Sequence, residues 1–171
     1  MTRHIPVLLE EVKRGLFLQK GMVVVDATLG GGGHARMMLA EILPTGKMIA
    51  LDMDSEALDR FRERLQSDVL LKQASEEERL VLVQSNYADL TAVLDRLGVG
   101  QVDALLADLG FSSDQIEAAE RGLSFQMEGP LDMRLDQTTL LTAREIVNTY
   151  SEVELRRMLR EYGDEHENGY I

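Results

Sequence analysis

Asp26-Ala-Thr-Leu-Gly-Gly-Gly-Gly-His34 follows directly on the apolar run Met22-Val-Val-Val25. A short run that rich in β-branched residues reads as a buried strand. Four consecutive glycines then let the backbone turn sharply and approach a ligand with no Cβ in the way. The apolar pattern resumes at helical spacing with Ala35, Met37, Met38, Leu39 and Ile42. A strand, a glycine turn and a helix N-terminus together make a nucleotide-type binding site. A merely flexible glycine loop is the competing reading, and the two flanking periodicities argue against it.

Two cofactor classes fit this turn. Gly30-x-Gly32-x-x-Ala35, with Asp52 about twenty positions on, satisfies the dinucleotide fingerprint. Asp26-x-x-x-Gly30-x-Gly32 also fits the first motif of Rossmann-like S-adenosylmethionine (SAM) methyltransferases. There the strand-end acid faces the methionine moiety, and the helix dipole meets a carboxylate instead of a pyrophosphate. The turn alone leaves both open. No Gly-Lys-Ser/Thr is present, which excludes a P-loop.

Outward from the turn, strands alternate with helices. Residues 6–17 read as an opening helix with Pro6 in its first turn. Strands are expected at 22–26, 48–52, 80–84 and 102–107, and helices at 33–43, from Asp54 or Ser55 onward, and up to Leu97 before Gly98. Residues 67–79, polar and charged, read as a surface connection. The alternation implies right-handed βαβ units and a parallel sheet. Asp26, Asp52 and Asp108 then fall at strand carboxyl ends, where open α/β sheets bind ligands. Asp52 is placed to accept from two ribose hydroxyls. Met53 is positioned to cover the base, and Asn86 or Tyr87 to contact it. Asp54 and Asp89 read as helix N-caps. After Gly110 the pattern loosens. Gly122–Pro130 is irregular, the length of loop that is functional or disordered. Thr142-Ala-Arg-Glu145 and Ser151-Glu-Val-Glu154 are capping boxes opening two short helices, the second ending at Gly163. Residues 164–171 lack a helical pattern and are expected to fray.

At 171 residues the chain is one domain, or one domain with a fragment of a second. No apolar run is long enough to cross a membrane, and no signal-peptide core is evident. The absence of Cys rules out disulfides and fits a cytoplasmic location. His4, His34 and His166 have no metal-ligand spacing, so no metal is expected. A net charge of −12 is awkward for a nucleic-acid partner. Arg156, Arg157 and Arg160, preceded by Arg134 and Arg144, form one basic candidate patch. Pairing with Glu152, Glu154 and Glu161 on a solvated helix face is the favoured reading.

Six ordered segments carry a more specific signal: His4-Ile-Pro-Val-Leu-Leu-Glu-Glu-Val12, the glycine turn 26–34, Asp108-Leu-Gly-Phe-Ser-Ser-Asp-Gln115, Glu120-Arg-Gly-Leu-Ser-Phe125, Gly129-Pro-Leu-Asp-Met-Arg134 and Arg160-Glu-Tyr-Gly163. Together they resemble the MraW/RsmH family of SAM-dependent methyltransferases acting on cytosine N4 in small-subunit (16S) ribosomal RNA. The resemblance runs from about His4 to Gly163 and favours SAM over a dinucleotide. It implies SAM contacts at Gly32, Gly33 and His34, Asp52 on the ribose, Tyr87 near the adenine, Asp108 after the fourth strand, and Gln115 in the following loop. Asp108 is also the candidate catalytic residue, orienting the amine or accepting its proton. The implied fold is α/β, a Rossmann-like class I methyltransferase sheet with strands ordered 3-2-1-4. Residues 1–110 form the SAM-binding domain, and 111–171 the start of a helical substrate-recognition insert.

Family members continue well beyond this length, so the chain reads as C-terminally shortened and its sheet as incomplete. The exposed fourth strand suggests a homodimer. The expected substrate is ribosomal RNA or an assembling small subunit. The alternatives are a SAM-binding remnant or assembly partner lacking the substrate half, and a nucleotide-dependent oxidoreductase.

Overall fold

The computed structural model describes residues 6–167. His4 and Ile5 of the first family segment, and residues 168–171 of the tail, lie outside the described residues. The chain divides into two compact units, residues 1–113 and 114–171.

The first unit is built on four parallel strands in the order β3-β2-β1-β4: β1 (Val23–Asp26), β2 (Lys47–Asp52), β3 (Leu80–Gln84) and β4 (Ala104–Leu106). Val24 pairs with Met48 and Ala104, and Val25 with Ile49 and Leu105, so alternate residues share a face. One face packs Val24, Met48, Ala50 and Leu80 against α2 (Gly33–Ile42), α3 (Ser55–Ser67) and α4 (Val69–Glu76). The other packs Val25, Ile49, Leu51 and Val83 under α5 (Leu90–Arg96), which supplies Val93. Both faces of β1 and β2 are covered, which is why their sequences read as continuous apolar runs. Leu105, on the α5 face of the edge strand β4, remains 43% exposed.

Two sequence expectations need correction. The opening helix is α1 (Leu9–Gly15), shorter than 6–17; Leu8 at its N-cap has φ 55°, so the left-handed turn there leaves Pro6 outside the helix. Residues 67–79 are not a surface connection. Asp68 accepts from the N–H groups of Leu70 and Leu71 and starts α4, whose Leu71 and Ala74 are wholly buried in the core. The apolar turn Val69-Leu70-Leu71, followed three residues on by Ala74, gives this charged stretch a face to bury, with Leu70 packed against the same core. Other helix signals hold. Asp54 caps α3 through the N–H of Glu56, and Gly98 takes φ +67° after α5. Asp89 sits at the N-cap of α5 but makes no side-chain cap. Asn86 instead caps the 3-10 turn Tyr87–Asp89 through the N–H of Ala88.

The second unit contains α6 (Ser113–Glu117, which begins at the boundary), a 3-10 turn at Ala119–Arg121, α7 (Ala143–Thr149) and α8 (Glu152–Tyr162). Both capping boxes are formed. Gly163 is the C-cap of α8, but the left-handed residue is Asp164 (φ 52°), and the N–H of Glu165 bonds back to the Leu159 carbonyl. The irregular stretch after Gly122 is held by polar pins. Arg121 is 3% exposed and donates to the carbonyls of Arg134 and Leu135. Arg134 forks onto Asp132 at 2.8 and 2.7 Å, which holds the Asp132 carboxyl well below the usual carboxylate range. Arg134 is thus tied into the fold, and Arg156 pairs with Glu152 at 2.7 Å on α8.

Candidate functional site

The carboxyl ends of β1, β2 and β4 carry Asp26, Asp52 and Asp108. The chain leaving β1 is the glycine turn, and its path is fixed by hydrogen bonds to the neighbouring strand. Leu29 donates to the Leu51 carbonyl at 2.9 Å, and Gly30 to Asp52 Oδ2 at 2.8 Å. The other Asp52 oxygen accepts from Asp54 at 2.9 Å. Asp52 therefore braces the turn and the start of α3 together. Each of its oxygens keeps a second lone pair for a ligand hydroxyl. Burial raises the Asp52 carboxyl above its ordinary value, opposed by those two N–H bonds.

Gly32 and Gly33 are required by packing. Gly32 has φ +71°, and a Cβ there would lie 2.1 Å from the Phe61 ring of α3. A Cβ on Gly33 would lie 2.1 Å from Pro6 Cγ. His34 is buried in the first turn of α2, and its Nε2 lies 3.0 Å from the Val7 carbonyl oxygen. The segment before α1 is thereby tied to the turn. The first N–H groups of α2 have no partner within the helix and make an anion-favouring end.

Asp26 is fully buried. Its Oδ1 accepts from the N–H of Thr28 at 3.2 Å, while Oδ2 is buried with no hydrogen-bond partner. Burial pushes this carboxyl up to about 7; the Thr28 N–H pulls it down, and the charges of Asp52 and Asp108 raise it further. A buried acceptor without a partner is uncommon in a folded chain, and here it lies at the ligand-binding edge of the sheet. Asp108 is exposed, and its N–H donates to Thr28 Oγ1 at 2.7 Å. Tyr87, 49% exposed, follows β3, beside an Asn86 already engaged as a cap. Gln115 belongs to the second unit, where it is a buried residue of α6 and not part of a polar loop.

The sequence-predicted residues Gly32, Gly33, His34, Asp52 and Asp108 thus sit on one end of the first unit's sheet. Thr28, Phe61 and Pro6 were not singled out for roles there. Thr28 has a signal in its spacing, two residues past a strand-end acid; nothing in the spacing marks Phe61. Among the described residues no group of three or more His, Asp or Glu side chains is arranged to hold a metal, and no helix is long and apolar enough to cross a membrane.

This sheet order, with a glycine turn after its first strand, is the Rossmann-like arrangement found in methyltransferases. A crystal structure of a candidate rRNA-methylase from Clostridium thermocellum shares the fold, with a TM-score of 0.51 and 20% identity over 64% of this chain and 54% of that one. More particularly, the chain belongs to the MraW methylase family, whose profile matches residues 1–171. It is 43% identical over 162 residues to the ribosomal RNA small subunit methyltransferase H of Symbiobacterium thermophilum, covering 95% of this chain and 48% of the relative. It is 46% identical over 169 residues to the enzyme of the same name from Syntrophotalea carbinolica, covering 96% and 51%. The chain spans about half the length of the curated relatives it matches.

Proposed function

We propose that this chain is the cofactor-binding part of a SAM-dependent methyltransferase that modifies N4 of a cytidine in small-subunit ribosomal RNA, in the cytoplasm. The observation that carries the reading is the buried, unpartnered Asp26 oxygen beside a glycine turn braced by Asp52. SAM matches that donor set: an ammonium for Asp26, a carboxylate for the N–H end of α2 at Gly33 and His34, and a ribose diol for Asp52. His34 would contribute its backbone N–H, since its Nε2 already meets Val7. The bare backbone at Gly32 keeps the turn thin, and Tyr87 would lie against the adenine. A dinucleotide would leave the Asp26 oxygen without a cationic partner.

When bound, SAM supplies an electrophilic methyl group. The exocyclic amine of cytosine is a weak nucleophile, because its lone pair is delocalised into the ring. Asp108 would orient that amine and accept hydrogen bonds, or the proton, as positive charge develops. The target base must leave its stack to reach the sheet edge. The names of the relatives support small-subunit ribosomal RNA, free or in an assembling particle, as the partner. The uncovered Leu105 face of β4 supports self-association of the 171-residue chain as a homodimer.

The test is calorimetry with SAM and with NAD, followed by methyl transfer to small ribosomal particles by wild type and by Asp108→Asn. SAM binding with turnover reduced roughly 10²-fold in the variant is the expected result. Binding of NAD in place of SAM overturns the cofactor assignment. SAM binding with no transfer by wild type assigns the chain a cofactor-holding role alone. Equal losses of binding and turnover in the variant make Asp108 a cofactor ligand and not the group that handles the amine.

A further inference from the structure

The β1–β4 ladder ends with the N–H of Ala27 donating to the Leu106 carbonyl at 2.9 Å. Past that rung the backbones part, as β1 enters the glycine turn. A side chain then takes the ladder's place: Thr28 Oγ1 accepts from the N–H of Asp108 at 2.7 Å, across a separation of 80 residues. The backbone N–H of the same threonine donates to Asp26 Oδ1 at 3.2 Å. One residue thus sets the positions of two strand-end acids, one through its main chain and one through its hydroxyl.

We infer that Thr28 is a positioning residue, whose hydroxyl extends the β1–β4 ladder by one rung and fixes where the Asp108 carboxylate stands relative to the glycine turn. The inference rests on the reading of Asp108 as the group that handles the target amine. The need for such a device follows from the fold. β4 is a three-residue strand, and among the described residues it has a strand neighbour only at β1. Past Leu106 the observed link to β1 is the Thr28 hydroxyl and no longer a backbone carbonyl. Asp108 is followed by Gly110 and a polar stretch, so its backbone would otherwise sample several directions. Placement errors of about 1 Å cost catalysis heavily. Valine fills nearly the volume of threonine but offers no acceptor, whereas serine keeps the acceptor and loses only a methyl group.

The experiment compares wild type, Thr28→Val and Thr28→Ser by three readouts: the Asp108 amide by nitrogen-labelled NMR, SAM affinity by calorimetry, and methyl transfer to small ribosomal particles. In Thr28→Val the Asp108 amide proton should move upfield and exchange about tenfold faster. Turnover should fall about tenfold or more while SAM affinity stays within about twofold. Thr28→Ser should restore both the amide signal and turnover. An unchanged Asp108 amide in Thr28→Val overturns the inference. So does an equal loss of SAM affinity and turnover that serine fails to rescue, which would mark a general packing role. The amide readout is independent of activity. Absence of transfer by wild type, with the amide responding as expected, would sink the catalytic reading of Asp108 and leave Thr28 as the residue that places it.

Discussion

Replacing Asp26 with Asn separates the electrostatic cost of this carboxyl from its shape. In the native chain it is fully buried with one oxygen unpartnered, and burial raises it from 3.8 to about 7. In the unfolded chain it ionises near its ordinary value. Between those two pH values the folded chain holds a proton that the unfolded chain has released, so stability falls as pH rises. The contribution is fully present below about 3.8 and is lost once the pH passes about 7. At about 1.4 kcal/mol per unit, a displacement of roughly three units amounts to about 4 kcal/mol. Asparagine accepts from the Thr28 N–H in the same place and does not titrate. Urea unfolding of wild type and Asp26→Asn, each from about pH 4 to pH 8, isolates this group together with its coupling to the neighbouring charges of Asp52 and Asp108, because carboxyls remote from Asp26 titrate alike in both proteins. Relative to the variant, wild type should lose up to about 4 kcal/mol across that range. A difference independent of pH, or one in which wild type gains with rising pH, would refute the assignment of a desolvated carboxyl at this position. The same linkage carries to ligand binding. An ammonium group at Asp26 Oδ2 would favour the anion, so SAM binding near pH 6 should release a proton, visible as a dependence of the calorimetric heat on the buffer.

Three further outcomes are expected. Asp52→Ala removes the acceptor for both Gly30 and Asp54; SAM affinity should weaken by about 2–4 kcal/mol in calorimetry, and unchanged affinity would take Asp52 out of the site. Gly32→Ala places a Cβ against the Phe61 ring at φ +71° and should destabilise by about 2–5 kcal/mol in urea unfolding, with partial relief when Phe61→Leu is added; a neutral Gly32→Ala would show that this glycine answers to no packing constraint. Light scattering at micromolar concentration should report self-association of the 171-residue chain through the uncovered side of β4, and a Leu105→Lys variant should shift it toward monomer; a monomer in both would mean that the edge is already protected.

Much of this protein is legible in its sequence because the relevant signals are local. The apolar runs before Asp26 and Asp52, the stop at Gly98 and the two Ser/Thr-x-x-Glu boxes depend on residues within a turn or two of each other, and the structure has these elements. The alternation of strands and helices fixes a parallel sheet, and strand ends then give Asp26, Asp52 and Asp108 a common edge. What only the tertiary structure decided is which distant groups meet. Val69, Leu70, Leu71 and Ala74 are outnumbered by the polar and charged residues of 67–79, and only α4 closing on the sheet shows Leu71 and Ala74 to be core. Four glycines in a row look interchangeable, yet Gly32 answers to Phe61 and Gly33 to Pro6. That Arg134 is paired is in keeping with the favoured reading of the arginines, but its partner, Asp132, shows only in the structure. The bond from Asp108 to Thr28 spans 80 residues and exists only because β4 pairs with β1 in one register. Periodicity and capping are written in neighbouring residues; steric demand, desolvation and hydrogen bonding across strands arise only once the chain has packed.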